Sequence, residues 1–251
     1  MIQPKRSLPA LGLILGSLLA YPSLSWAYEF VPTEIEWAGW PEYCRARYVT
    51  TNVGEVTHWR REYPAAMISL QEGALGSDTF IHVHHYCAGI AYLQRAKFTS
   101  DPSQLPFLLQ SAQTEAGYTF ERIPTTSPLY STIAVTLSQI MKMRKQNEKA
   151  DEYLDRALAA QPHDALAYVG KALLQRDMKK LEAARDTLLR GDEAVEGRSV
   201  EIHYNLGLIL LELGELDRAY EYASKAYAAG YPLPGLKERL KKAGAWKEPQ
   251  A

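Results

Sequence analysis

Two cysteines and three clustered histidines are the residues of this chain best suited to chemistry: Cys44 and Cys87, with His82, His84 and His85 beside the second. Thiolate and imidazole are the ligand types that zinc and copper take. If the segment around residue 84 is helical, His84 and Cys87 lie three apart on one face. Cys44 arriving from a neighbouring segment would complete a metal set, although the spacing fits no established zinc motif and no Cys-x-x-Cys-His offers haem attachment. The same two sulfurs can instead bond to each other, which leaves no thiolate for a metal. The compartment weighs between these two outcomes.

Lys5 and Arg6 precede an apolar run from Leu11 to Ala20, and a proline-containing stretch then ends at Ser25-Trp26-Ala27. Small residues stand at the two places a signal peptidase reads, so the segment 1–27 is expected to be a secretory signal of bacterial style. The run is shorter than the ~20 residues that a membrane helix needs, which favours cleavage over retention as an anchor. No cysteine lies at the cleavage point, which argues against a lipid-anchored product. Export delivers both cysteines to an oxidising space, and a Cys44–Cys87 disulfide becomes the economical outcome. Closing that loop would contribute up to about 4 kcal/mol in the chain-entropy account. A metal set of Cys44, His84 and Cys87 stays as the alternative.

Catalytic constellations are missing from the rest of the sequence. There is no His-Glu-x-x-His, no glycine-rich phosphate loop ending in Lys-Ser or Lys-Thr, and no Gly-x-Ser-x-Gly elbow. Glu148, Asp151, Glu152 and Asp155 sit among lysines, which reads as a salt-bridged solvent face rather than an acid and base pair. After cleavage the chain keeps 26 basic and 29 acidic residues, a net charge of about −3, and has no electrostatic footprint for nucleic acid. No enzyme and no cofactor are expected.

Helices are the elements that must position these residues. Ala150, Ala184 and Ala219 recur at spacings of 34 and 35 residues, and Ser138, Ala172 and Gly207 keep the same register, as do Ala157, Gly191 and Ala226. A period of this length fits two antiparallel helices joined by a short turn, with small residues where backbones cross closely. A helix start precedes each of the first alanines, at Asn147, Leu181 and Leu216. Gly214 marks the break once, with Lys145 and Lys179 in the equivalent places.

These columns, with Pro162 near the end of the first unit, resemble the tetratricopeptide repeat family over residues 131–233. Two positions depart from the pattern: Lys171 stands where Leu137 and Leu206 predict an apolar residue, and the aromatic column keeps only Tyr168, with Ala134 and His203 elsewhere. The resemblance implies an all-α, right-handed α-solenoid with units 131–164, 165–199 and 200–233. A degenerate hairpin at 81–130 would shield its amino-terminal end, and a basic capping helix within 234–251 would close it. The irregular segment 28–80 holds Trp37, Trp40 and Tyr43 near Pro41 and Cys44, followed by Arg45, Arg47, Arg60 and Arg61. That cluster reads as either a recognition surface or a local core packed on the solenoid end. Its Trp-Pro-Glu-Tyr-Cys stretch, paired with His84-His85-Tyr86-Cys87, is similar to a group of exported bacterial repeat proteins and carries no mechanism with it.

In such a stack the first helix of each unit lines the concave side. The groove residues expected there are Thr132, Val135, Gln139 and Lys142, then Leu166, Val169, Leu173 and Arg176, then Glu201, Tyr204, Asn205 and Leu208. The mixture suits an extended peptide or a partner helix. Family members that clamp a terminal carboxylate use lysine and asparagine at these inner places, and Val135 and Gln139 stand where that set would begin, so a chaperone-tail clamp is not expected. The sequence thus points to a periplasmic adaptor that binds another envelope protein, with no stable membrane span after cleavage.

Overall fold

Small residues in register allow helices to pack in pairs, and the computed structural model, which describes residues 29–247, follows that rule. The expected signal segment 1–27 lies outside the described residues. Five short helices come first: α1 (Glu34–Gly39), α2 (Glu42–Tyr48), α3 (His58–Glu62), α4 (Ala65–Leu75) and α5 (Ser77–Phe80). A hairpin of α6 (Val83–Phe98) and α7 (Leu105–Phe120) follows. Three more hairpins pair α8 (Tyr130–Met143) with α9 (Asn147–Ala160), α10 (Ala165–Asp177) with α11 (Leu181–Ala194), and α12 (Val200–Glu212) with α13 (Leu216–Ala228). The helix α14 (Gly235–Lys242) ends the order, and no strand occurs among the described residues. No helix among them is long and apolar enough to cross a membrane.

The three regular hairpins turn alike because their first helices end alike. The backbone N–H of Gln146 donates to Met141 O, that of Lys180 to Gln175 O and that of Glu215 to Leu210 O, each at 2.9 Å. This six-to-one closure needs one left-handed residue just before the donor. Lys145, Lys179 and Gly214 supply it, with φ of 60°, 64° and 78°. A side chain in that region costs about 1–2 kcal/mol, so glycine fits its place without strain while the two lysines are held by the hairpins around them. Glu196 repeats the device at φ 56° after α11, where the first unit has Pro162.

The small-residue columns sit where neighbours press closest. Ala150, Ala184 and Ala219 are fully buried, as are Ala157 and Ala226. At Gly191 an added Cβ would lie 2.7 Å from Cγ of Tyr168, so Tyr168 occupies the space a side chain would need. The columns hold in the amino-terminal hairpin too: a Cβ on Gly89 would meet the backbone N of Ala116 at 2.9 Å, which fixes the close crossing of α6 and α7.

Lys171 resolves its own departure from the pattern. It is buried, and its Nζ donates to Asp151 Oδ1 at 2.7 Å and Asp155 Oδ1 at 2.6 Å, both on α9. Burial by itself would lower its pKa, but the two carboxylates outweigh that and hold it raised. Asp151 and Asp155 are therefore bridges between units rather than idle members of a solvent face. The buried apolar residues divide near this point: one cluster runs from Phe30 to Leu174 and the other from Val169 to Leu240.

The irregular segment is a local core. Trp37 stacks on Trp59 with ring centroids 4.6 Å apart, Tyr48 meets Trp59 edge-on at 5.9 Å, and Trp40, Tyr48 and Trp59 are buried. Cys44 of α2 and Cys87 of α6 form a disulfide with both residues fully buried, and Arg47 Nε donates to Ile81 O at 3.3 Å beside it. Helix starts differ somewhat from the sequence expectation. Asp101 does not cap α7; its Oδ1 accepts from Ser103 N at 2.9 Å in a turn of its own, and the helix begins at Leu105. A separate turn, α5, likewise precedes α6, which begins at Val83 rather than Ile81.

Candidate protein-binding groove

The first helices α8 and α10, with α6 from the preceding hairpin, enclose a cleft of about 240 Å³. Its floor is Val135, Met143, Gly170, Leu173 and Leu174, and its rim carries Lys97, Gln139 and Lys142. Gly170 keeps the floor low, because a Cβ there would meet Leu154 Cδ2 at 3.0 Å and Val135 Cγ2 at 3.3 Å. At the rim Lys97 Nζ donates to Gln139 Oε1 at 3.3 Å, and Lys142 Nζ pairs with Asp177 Oδ2 at 2.8 Å. That ion pair is exposed on both sides, so it holds Lys142 weakly and a ligand can compete for it. The cleft therefore offers an apolar seat with exchangeable polar contacts at its edge, which suits a peptide side chain and its backbone.

Of the residues expected in the groove, Gln139, Lys142 and Leu173 meet in this cleft, and Val135 lies beneath them. Thr132 is half-buried one turn away on α8, and its carbonyl accepts from Thr136 Oγ1 at 2.9 Å. Val169 is buried in the second core cluster, while Leu166 is exposed. Arg176 does not line this cleft. Its guanidinium forks onto both carboxylate oxygens of Glu212, and Arg239 Nη1 reaches the same Glu212 at 3.2 Å, giving a ladder that ties α10, α12 and α14 together. Hydrogen bonding from Arg176 holds the Glu212 carboxyl below its usual range.

The third unit also departs from the expectation, for one physical reason: α14 and the chain leading to it cover α12. Tyr204 is buried and stacked on Tyr231, with ring centroids 4.2 Å apart. A Cβ on Gly207 would meet Leu236 Cδ2 at 2.6 Å, so the small residue in that column makes room for the capping helix. Leu208 is half-buried against the same core cluster, and Asn205 Nδ2 donates to Glu201 O at 2.8 Å. Lys97 was not among the expected groove residues, because it belongs to the hairpin read as a shield. Its place near the end of α6, whose hairpin stacks on α8, is the signal that points to it.

The histidine and cysteine group does not form a metal set. The disulfide takes both sulfurs, and among the described residues no group of three His, Cys, Asp or Glu side chains converges as a metal site. His84 is buried, and burial first, then the charge of Arg47, lowers its pKa to about 2, which keeps the ring neutral. His85 Nδ1 lies 2.6 Å from Glu115 Oε2, coupling α6 to α7, and His82 O accepts from Thr119 Oγ1 at 3.0 Å. These residues hold the stapled hairpin together.

The family model described as Tetratricopeptide repeat matches residues 200–229, which is the α12–α13 hairpin. Among solved structures, pilF of Pseudomonas aeruginosa aligns with 64% of this chain and 66% of its own, at 20% identity and a TM-score of 0.51. The alignment thus spans just under two thirds of that protein, and it shows a shared fold. A tetratricopeptide repeat protein of Thermus thermophilus aligns over 68% of this chain and 97% of its own, at 18% identity and TM-score 0.45. YrrB, a repeat protein with an unusual peptide-binding site, aligns over 80% and 90%, at 17% identity and TM-score 0.47. No curated protein matches the sequence at a significant level. Residues 200–229 thus match a tetratricopeptide repeat, and the same turn and register run through the two hairpins before them in an all-α stack.

Proposed function

We propose that this protein is an exported scaffold that holds another envelope protein through the cleft between α6, α8 and α10, and that it catalyses no reaction. Stacked repeats of this kind serve protein interaction, generally without catalysis, and expose an extended concave surface for it. The observation that carries the reading is the cleft itself: an apolar floor of Val135, Met143, Leu173 and Leu174 under an exposed rim of Gln139 and Lys142. Export is supported by the basic, apolar and small-residue order of residues 1–27 and by a buried disulfide of the kind that oxidising compartments maintain.

Leu173→Glu tests the binding half of the reading. It places a charge on the cleft floor while leaving the Ala172 column intact, and the variant should lose its co-purifying envelope protein yet keep its melting temperature within a few degrees. The same partner retained at wild-type yield would move binding away from the cleft. Cell fractionation with mass measurement of the amino terminus tests the other half, and a chain recovered from the periplasm that starts near Tyr28 is the expected result. An intact Met1 in the cytoplasm would contradict it.

A further inference from the structure

Charge is divided unevenly between the two kinds of helix in the stack. The first helices α6, α8 and α10 carry Arg95, Lys97, Lys142, Lys171 and Arg176 against a single acid, Asp177. The second helices α7, α9 and α11 carry nine acids and four basic residues. Neutralising the helix dipole does not account for this, because a basic last turn would serve every helix. Each of the first helices has one, and none of α7, α9 and α11 does. The whole chain is slightly acidic, so the positive excess on the cleft side is local.

Most of that charge is already matched. Lys171 is held by Asp151 and Asp155, Arg95 grips Glu36, and Arg176 shares Glu212 with Arg239. Two lysines are left at the cleft. Lys97 has no carboxylate partner among the described residues, and its Nζ donates to the neutral Gln139 Oε1 at 3.3 Å. Lys142 has only the exposed bridge to Asp177. Gln139 and Lys142 stand three residues apart on α8, so both ammonium groups border one place on the rim, about one helical turn wide. Other acids do not fill that place. In the flanking loops Asp101 accepts from Ser103 and Gln104, and Asp164 accepts from Leu166 N. Glu201 opens α12, roughly 16 Å along the helix from Glu212.

The cleft is smaller than the ~300–1,000 Å³ that small ligands usually occupy, so it takes one side chain and leaves the rest of a partner on the rim. Taking the cleft as the binding site, we infer that its partner presents an acidic segment: one apolar side chain seated against Leu173, with an aspartate or glutamate beside it held between Lys97 and Lys142. That carboxylate takes the hydrogen bond Lys97 gives to Gln139 and competes with Asp177 for Lys142. Asp177 therefore opposes binding, a role that an uncharged ligand would not give it.

Panning a library of random linear peptides on the purified protein tests this, with Leu173→Gln as a neutral control for the cleft floor. Enriched peptides that pair an apolar residue with a neighbouring Asp or Glu, and that Leu173→Gln no longer binds, are expected. For one such peptide Lys97→Gln with Lys142→Gln should weaken binding about fivefold, and Asp177→Asn should tighten it about twofold, with melting curves unchanged. Lys97→Glu with Lys142→Glu, panned afresh, should enrich basic peptides instead. Peptides that depend on Leu173 but lack acids, or that ignore the lysine and Asp177 changes, would overturn the acidic partner and leave the cleft as the site. Peptides that bind Leu173→Gln as well as wild type, or no enrichment at all, would overturn both.

Discussion

Between Trp37 and Tyr63 large rings stack face and edge around a buried disulfide, whereas from Tyr130 to Ala228 the buried positions are mostly alanine, leucine and isoleucine at fixed intervals. The first region gains stability from a unique fit: α1 to α5 are short, α4 buries no residue at all, and few of their hydrogen bonds repeat. A covalent tie to α6 offsets that shortage by limiting the unfolded chain. The second region gains it from repetition, since each hairpin contacts only its neighbours and uses the same turn. The difference teaches where each fails. Loss of one tie releases the first region, while the second tolerates single errors and answers to small changes in its turns.

The largest expected effect breaks the tie. Cys44→Ala with Cys87→Ala should cost about 2–4 kcal/mol, and hydrogen exchange should place the loss in α1 to α6 while α10 to α13 keep their protection. Equal loss across the stack would show that the two regions fold as one cooperative unit. Acid should separate them as well. The folded value of His84 is about 2, below its ordinary 6.5, so as pH falls under 6.5 the unfolded chain takes up a proton that the folded chain refuses. Stability present above pH 6.5 is then lost at up to about 1.4 kcal/mol per pH unit. In the repeats Glu212, Glu215 and Glu221 are carboxyls held below their ordinary 4.5, and such a contribution is present above that value and lost only as pH falls through the lower folded value. Urea melts at pH 7 and pH 5 should therefore show a drop that His84→Gln flattens, and an unflattened slope would remove His84 from the account.

Smaller effects probe the repeats. Lys171→Leu restores the apolar column and leaves Asp151 and Asp155 at partly exposed places, so it should be neutral or stabilising by about 1 kcal/mol, as for other buried ion pairs replaced by hydrophobes. A loss above about 2 kcal/mol would mean that the bridge between α9 and α10 specifies their packing. Lys179→Gly relieves a left-handed residue and should add about 0.5 kcal/mol, net of the freedom glycine gains when unfolded, while Gly214→Ala should subtract about 1 kcal/mol. Thermal melts that show the same sign for both would contradict the shared turn.

The repeats were legible because their signal is geometric. Small residues mark close crossings, and Gly214 in line with Lys145 and Lys179 marks the left-handed turn even where the residue type gives no hint. The disulfide was legible because the sequence holds only two cysteines, so each has a single possible partner within the chain. The groove was legible only in part. Register places Gln139, Lys142 and Leu173 on one face, and they do meet in the cleft, but register cannot show that α14 covers Tyr204 or that Glu212 takes Arg176. Those are contacts between distant segments, as is the arrival of Lys97 from α6 at the rim. The carboxylates of α9 taught the same lesson in reverse: a pattern ordinary for a solvent face hides two partners of a buried lysine.

A photo-reactive residue at Gln139, at the rim of the cleft, tests the central claim most directly when compared in cells with one at Glu182 on the exposed face of α11. The account predicts one discrete protein adduct from position 139, lost when Leu173→Glu is added, and none from position 182. The same adduct from both positions, or its survival in the Leu173→Glu variant, would contradict the cleft as the binding site.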